Sequence, residues 1–354
     1  MLTHTIDGRW ISAFEQVFEL CLLNPDEQTI ILSETHSRAL NVQLAELALQ
    51  RMGIPYFHIK LPSRAPQAGL LSRRPQASPP ILRSTGASLI LHQQAAAVQA
   101  LSSVPFIVDL SVEGLMHAKE TAGILQNGAR IMTVSNEHPE ILTRLLPRFD
   151  LKEQVLAAVK RCRNSRRMTV TSKAGTRLEV DMQGCPSVGV WGWTDKPSTL
   201  AHWPGGMVVS FPKKGTVNGR LVFQPGDMNL TFKRYFDSEV VFTLENDYVT
   251  HVGGDGTEAM LMRQYLKAFD DPQAWSTSHV GWGMNPQARH EALTMYDRCD
   301  HNGTELRAVA GNFLYSTGAN EFAGRFTEGH FDLPMLGCTI LLDGVPVVQD
   351  GRLL

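Results

Sequence analysis

The chain has 354 residues, 43% hydrophobic and 19% charged, which is the composition of a globular protein long enough for about two domains. Its 33 Lys and Arg against 35 Asp and Glu leave a formal net charge of −2, so no net basic field is available to hold a polyanion. No apolar run approaches the roughly 20 residues that span a bilayer. We therefore expect neither a nucleic-acid partner nor a membrane.

Cysteine usage and the N-terminus indicate the compartment. The first ten residues lack the basic segment and apolar stretch of a secretory signal. The cysteines are odd in number, widely spaced and without a CxxC pair, which argues against a disulfide framework and a thiolate zinc site. They are Cys21, Cys162, Cys185, Cys299 and Cys338. We expect a cytoplasmic protein.

Residues 1–160 repeat a short apolar run, a polar turn and an amphipathic stretch. The first run, at 29–32, is followed by leucines at helical spacing, and Gly53 ends the helix that they predict. Further strands are predicted at 55–59, 88–91, 105–110 and 130–134, and helices at 93–101, 115–126 and 139–146. This pattern predicts a Rossmann-like α/β domain. No GxGxxG follows the first strand, so a dinucleotide site is not supported.

Two stretches of unusual composition lie between the predicted helices and strands. The proline-rich stretch at 61–80 is expected to form an irregular surface excursion. At 160–167, KRCRNSRR has five basic residues in eight and is typical of a solvated helix end and linker. We place the domain boundary there, with a second domain at 161–354. Its short alternating runs predict a β-rich fold, interrupted by one helix at 257–269 where Asp255 and Glu258 resemble a capping box.

The segment GHFDL contains a candidate metal-binding pair. In a strand, side chains two residues apart point to the same face, so His330 and Asp332 could chelate one ion while Phe331 enters the opposite layer. An H-x-D pair is weak evidence by itself. His279 could supply a third ligand, although it could equally be an ordinary core or surface histidine. Two His and one Asp form the facial arrangement of mononuclear non-haem Fe(II), which leaves positions open for a substrate and O2.

Three segments carry a family resemblance: HVGGDGTEAM, the GWGMNP turn, and HFDLPM followed by LLDGVPVVQDG. They resemble the C-terminal domain of the M29 (aminopeptidase T-like) metallopeptidase superfamily, and most closely its oxygenase branch, the 2,5-dihydroxypyridine 5,6-dioxygenases. The resemblance covers most of the chain and implies an α/β domain ahead of an M29-like β-rich metal-binding domain. The peptidase branch holds two metals. Here His279 stands where it has a glutamate, and NFLYSTG stands where it has a ligand histidine.

The resemblance implies a reaction and a metal. It implies an extradiol-like, Fe(II)-dependent dioxygenase that opens the ring of 2,5-dihydroxypyridine between C5 and C6 with O2, giving N-formylmaleamate in nicotinate degradation. The iron ligands fall on His279, His330 and Asp332. Two alternatives stay open: an M29-type metalloaminopeptidase, and a binding homologue without turnover.

A ring hydroxyl that must lose a proton needs a base of near-neutral pKa, for which histidine is the natural candidate. His117 follows a predicted strand, at the carboxyl end of the sheet where open α/β domains bind ligands, and His202 lies in AHWPGG. Position discriminates poorly, because three other histidines also follow predicted strands: His36, His92 and His138.

A flat substrate ring favours apolar and aromatic walls, for which Trp191 and Trp203 are candidates, although any single one is more simply explained as a core aromatic of a β domain. Ser316 could hydrogen-bond a polar atom of the substrate or be an ordinary turn residue. Glu258 could be a substrate or outer-sphere carboxylate or merely the acidic first-turn residue of its helix. The family resemblance and the expected apolar edge strands predict a homo-oligomer.

Overall fold

The structure, a computed structural model, describes residues 5–63, 88–298 and 301–354. Most of the proline-rich stretch predicted at 61–80, and also Cys299, lie outside the described residues. Within the described ranges, no helix is both long and apolar enough to cross a membrane.

Helices and strands alternate in the first part of the chain. In chain order they are α1 (Gly8–Leu20), β1 (Thr29–Glu34), α2 (Ala39–Arg51), β2 (Tyr56–Leu61), α3 (Ala95–Leu101), β3 (Phe106–Asp109), α4 (Thr121–Gln126), β4 (Arg130–Thr133), α5 (Pro139–Arg144) and α6 (Phe149–Asn164).

Strands dominate the remainder. They are β5 (Arg167–Ser172), β6 (Arg177–Asp181), β7 (Ser187–Val190), β8 (Leu200–His202), β9 (Met207–Ser210), β10 (Val217–Phe223), β11 (Met228–Asn229), β12 (Arg234–Tyr235), β13 (Val240–Glu245), β14 (Tyr248–Gly253), β15 (Thr277–Gly283), β16 (Phe313–Asn320), β17 (Arg325–Met335), β18 (Cys338–Leu342), β19 (Val345–Gln349) and β20 (Arg352–Leu353). The helices among them are α7 (Thr257–Ala268), α8 (Ala292–Met295), α9 (Thr304–Ala308) and two 3-10 turns, Pro272–Trp275 and Glu321–Ala323.

The first five-stranded sheet is parallel and has the order β2-β1-β3-β4-β8. Apolar side chains from its central strands enter a separate core on each face, as expected for a sheet covered by helices on both sides. The predicted Rossmann-like α/β fold is thus confirmed. Its edge strand β8 comes from beyond residue 160, where Leu200 pairs with Ile131. The division of the chain at 160 itself stays a prediction.

Two predicted elements differ from the structure. The strand predicted at 88–91 is wrong: the chain turns there, and Ile90 and Leu91 are buried against one face of the parallel sheet instead of joining it. The helix predicted at 115–126 begins only at Thr121. The preceding loop is held instead by Asp109, whose carboxylate accepts the backbone N–H groups of Ser111 at 3.0 Å and Leu115 at 2.8 Å.

The second part forms two large antiparallel sheets, besides the two-stranded antiparallel pair of β11 and β12. One has eight strands in the order β14-β13-β10-β6-β5-β18-β19-β20, and the other has five in the order β17-β16-β15-β9-β7. Buried side chains from both sheets, α6 and α7 share one large hydrophobic core. The β-rich domain with a single long helix, predicted at 257–269 and observed at Thr257–Ala268, is confirmed.

The pairing of β16 with β17 sets the direction of the candidate ligands. Ser316 lies opposite Asp332 and Gly318 opposite His330, so the side chains of His330 and Asp332 point to one face. Gly318 has a φ of +106°, and a Cβ added there would lie 2.0 Å from the carbonyl oxygen of Gly329. Glycine therefore permits the close approach of the two strands beside His330.

A buried ion pair anchors the strands that carry the candidate ligands. The guanidinium of Arg325, at the start of β17, contacts the carboxylate of Asp247 and donates to the carbonyl of Thr277, at the start of β15, at 3.0 Å. The backbone N–H of Thr277 donates to the carbonyl of Asp247 at 2.7 Å. The Asp247 carboxylate also accepts the backbone N–H of Gly215 at 2.6 Å. Both strands thus begin at one charged junction.

Arg325→Met should lower the free energy of unfolding by about 3–5 kcal/mol, because the buried carboxylate of Asp247 loses its charged partner. Urea denaturation followed by tryptophan fluorescence measures this change. The matched control is Arg148→Met, which removes an exposed ion pair with Asp150 and should change stability little. Equal effects of the two substitutions would contradict the role given to this junction.

Candidate active site

Three histidines from different elements converge at one point. His117 comes from the loop after β3, His279 from β15 and His330 from β17, and one donor atom from each lies within 4.8 Å of the others. The ring centroids of His279 and His330 are 5.7 Å apart, and those of His117 and His330 are 5.2 Å apart. The three side chains are close enough to hold a metal ion together.

Asp332 adds a carboxylate to this cluster. Its Oδ1 lies 3.3 Å from Nε2 of His330 and 3.7 Å from Nε2 of His279. Oδ1 also accepts the hydroxyl of Ser316, and Oδ2 accepts the Nε–H of Arg307 at 2.6 Å. Burial raises the pKa of the Asp332 carboxyl, but the charges of Arg307 and His330 outweigh burial and hold that pKa well below its usual value. Asp332 is therefore a charged carboxylate beside two imidazoles.

His279, His330 and Asp332 have the donor chemistry that a divalent ion needs. Donor atoms at adjacent positions around one ion lie about 3 to 3.5 Å apart when each bond is about 2.1 Å, close to the separations seen here. Burial is the main cause that lowers the pKa of His279 to about 3, so this imidazole is neutral and able to bind a metal. The Nδ1 atom of His279 is buried without a hydrogen-bond partner among the described residues. These residues fit Fe(II).

His117 stands beside this set and has its own carboxylate partner. Its Nδ1 lies 2.8 Å from Oε1 of Glu321, and its ring lies parallel to that of His279 with the centroids 6.4 Å apart. Burial lowers the pKa of His117, but the hydrogen bond and charge of Glu321 outweigh burial and raise it overall.

His202 is the last residue of β8 and lines a cavity that the clustered histidines and Asp332 also line. Its Nε2 atom is buried without a hydrogen-bond partner among the described residues. Burial first, and then the positive charges of Arg307 and His117, lower its pKa to about 3. A neutral imidazole with a free ring nitrogen can therefore offer a hydrogen bond to a molecule in the cavity.

The cavity lies between the two domains, at the carboxyl end of the parallel sheet where open α/β domains bind ligands. Its apolar wall is aliphatic and is formed by Met116, Val190, Met207, Val209 and Leu314. Its polar wall includes His117, His279, His330, Asp332 and Arg307. Further polar groups of the wall are Glu113, Ser135, His202, Asn302 and Thr304. Both domains contribute to the walls, so the cavity exists only when they are packed together.

The tryptophans predicted as walls do not line this cavity. Trp203 is fully buried in the core of the α/β domain, where its Nε1–H donates to the carbonyl of Leu145 at 2.9 Å. Trp191 is half-buried, and the ammonium of Lys152 lies 5.2 Å from its ring centroid. Both indoles thus pack within the protein, the alternative that the sequence left open.

Glu258 also lies outside the cavity lining. It is fully buried in the first turn of α7, where its carboxylate lies 2.7 Å from a guanidinium nitrogen of Arg234 and accepts the hydroxyl of Ser238 at 3.0 Å. The predicted capping box is wrong, because Gly256 is the N-cap residue and the Glu258 side chain is engaged elsewhere. Ser316, in contrast, is close to the cluster through its bond to Asp332.

Two charged groups of the site were not predicted. Arg307 lies in α9 and pairs with Asp332, and Glu321 lies in the turn between β16 and β17 and pairs with His117. Both contacts join residues far apart in sequence or in different domains, and neither residue lies in a recognisable motif. Only the folded arrangement reveals them.

The sequence and the fold have known counterparts. The family of 2,5-dihydroxypyridine 5,6-dioxygenase (NicX) matches residues 9–354. The 2,5-dihydroxypyridine 5,6-dioxygenase of Pseudomonas putida KT2440 is 34% identical over 340 residues, which cover 96% of this chain and 94% of that relative.

Solved structures agree with this match. The structure of 2,5-dihydroxypyridine dioxygenase from Pseudomonas putida KT2440 aligns with a TM-score of 0.88 and 32% identity, over 99% of this chain and 98% of that chain. AmpT from Thermus thermophilus aligns with a TM-score of 0.60 and 14% identity, over 98% and 99% of the two chains, and shares the fold alone.

Ser316→Ala should weaken metal binding about tenfold, because the hydroxyl that orients the Asp332 carboxylate is lost. Anaerobic titration of the metal-free protein with Fe(II) measures the affinity. Ser102→Ala is the matched control, since that hydroxyl donates to the carbonyl of Val98 near the end of its own helix. If Ser316 bound substrate alone, KM would rise and the metal affinity would not change.

Proposed function

The chain belongs to the 2,5-dihydroxypyridine 5,6-dioxygenase family, and we propose that it cleaves the ring of 2,5-dihydroxypyridine between C5 and C6 with O2. The product in this proposal is N-formylmaleamate, and the pathway is nicotinate degradation. The observation that carries the proposal is the buried group of His279, His330 and Asp332, which faces a cavity between the domains.

In this proposal Fe(II) is bound by His279, His330 and Asp332. Two imidazoles and one carboxylate suit this ion, and a three-ligand set leaves positions for substrate and O2. When bound, Fe(II) would supply the redox chemistry that brings O2 to reaction with an electron-rich ring. Arg307 keeps Oδ2 of Asp332 engaged at 2.6 Å, which leaves Oδ1 to face the two histidines.

We assign the proton chemistry to the two remaining histidines of the cavity. His117 is the proposed base for the ring hydroxyl, because it lies against the metal-binding histidines and has a carboxylate partner that stabilises its protonated form. His202, with a pKa of about 3, is a poor base and is assigned to a hydrogen bond with the substrate through Nε2.

The cavity walls suit a small planar ring. Val209 and Leu314 belong to the aliphatic wall, while Ser135 and Thr304 offer hydroxyl groups in the same cavity. Apolar faces with a few convergent polar groups are typical of pockets that orient small ligands. The aliphatic side chains would contact the faces of the ring and leave the polar atoms of the substrate to the histidines.

We further propose that the protein is a cytoplasmic homo-oligomer. Cysteines 21, 162, 185 and 338 are free thiols and are buried, as expected for a reducing compartment. β14 is an edge strand of the eight-stranded sheet, and the backbone groups of an edge strand can pair with a strand of another chain. Light scattering after size-exclusion chromatography measures the mass, and a monomer would contradict the proposed assembly.

Protein reconstituted with Fe(II) without oxygen should consume O2 only when 2,5-dihydroxypyridine is added. His330→Ala should abolish consumption, because it removes one imidazole of the metal site. His251→Ala, which removes an exposed histidine of β14, should leave activity unchanged. Full activity of His330→Ala would overturn the proposal, and release of N-terminal amino acids with two ions bound per chain would favour the peptidase alternative.

His117→Gln should lower kcat by about 10²- to 10⁴-fold, because the proposed base is removed. Its bound iron should stay at the wild-type level, since His117 is assigned outside the ligand set. Steady-state kinetics and metal analysis of the same preparation measure both quantities. Loss of iron would instead make His117 the third histidine ligand, an arrangement that the three-histidine cluster allows.

A further inference from the structure

We propose that Glu321 is a positioning residue for His117, whose carboxylate holds the proton on Nδ1 and leaves Nε2 as the nitrogen that can accept a proton from the substrate. The inference deepens the proposed function and rests on it for the identity of the substrate and for the role of His117 as the base. The pairing of the two side chains is a property of the protein alone.

The contact has the geometry and chemistry of an oriented dyad. Oε1 of Glu321 lies 2.8 Å from Nδ1 of His117, and the two side chains are 27% and 11% exposed. A carboxylate only accepts hydrogen bonds, so Nδ1 must carry the hydrogen atom. A neutral imidazole has one N–H, which leaves the lone pair on Nε2. Burial raises the pKa of Glu321, but the hydrogen bond and charge of His117 outweigh it and keep the carboxyl charged.

The turn that carries Glu321 is held in place. Asn320 is fully buried, and its amide accepts the backbone N–H of Ala323 at 3.1 Å and donates to the carbonyl of Pro212 at 2.9 Å. The ring of Phe322 packs against that of Phe211, with the centroids 4.8 Å apart. These contacts fix the turn to the chain that follows β9, so the carboxylate is directed by the scaffold and not by a free loop.

The hairpin of β16 and β17 carries two proposed metal ligands as well as the partner of the proposed base. β17 carries two of the proposed metal ligands, and the turn before it carries Glu321. His117 belongs to the other domain, in the loop that Asp109 holds through the N–H of Leu115. The dyad therefore crosses the domain interface, and the hairpin aligns the base with the metal site.

The test compares Glu321→Leu with Glu321→Gln. Glu321→Leu should lower kcat by about 10- to 100-fold with KM changed less than about twofold, because the base loses its orientation while the cavity keeps its walls. Glu321→Gln should restore most of kcat, since its amide oxygen still accepts the Nδ1–H. Bound iron should equal that of the wild type in both variants. Glu120→Gln, three positions after His117, is the control and should leave kcat unchanged.

A second measurement is independent of turnover. Histidine-selective ¹⁵N NMR of the full-length protein loaded with diamagnetic Zn(II) should show His117 protonated on Nδ1 in the wild type and Glu321→Gln. In Glu321→Leu the Nε2-protonated form should appear. Unchanged tautomer and unchanged kcat in Glu321→Leu would overturn the inference. If the wild type lacks dioxygenase activity, the proposed function fails and the NMR result alone decides whether Glu321 sets the tautomer.

Discussion

The carboxylate of Asp332 is the group on which the site depends, because a buried negative charge costs several kcal/mol unless it is paired and hydrogen-bonded. Arg307 supplies the opposite charge, Ser316 a hydroxyl and two histidines their imidazoles. Each partner comes from a different element, so the charge is tolerated only when α9, β15 and β16 are all assembled around β17. The same assembly of elements is therefore required to stabilise this carboxylate and to shape the candidate metal site.

The α/β domain contributes to that assembly, although it carries none of the proposed metal ligands. The carboxylate of Glu137 accepts the first N–H of α9 at 2.7 Å, and Arg144 forms an ion pair with Glu305 of the same helix. α9 in turn carries Arg307, the partner of Asp332. The α/β domain therefore holds the helix that carries the partner of the buried charge, and it supplies two histidines of the cavity.

Local periodicity predicted much of this arrangement. The alternation of short apolar runs and amphipathic stretches predicted the parallel sheet, and the spacing of two in H-x-D predicted the common face of His330 and Asp332. Long-range contacts were beyond such reasoning. Nothing near Arg307 or Glu321 in the sequence indicates a partner 25 or 204 residues away. Burial similarly could not be predicted for the tryptophans, since an indole has the same local signature in a core as in a pocket wall.

The metal content of protein purified without oxygen tests the central claim most directly. The proposed set of two histidines and one buried carboxylate predicts one iron ion per chain, and loss of that ion when Asp332 is replaced by Asn. Iron bound at one per chain and unaffected by Asp332→Asn, or two ions per chain in the wild type, would contradict the account.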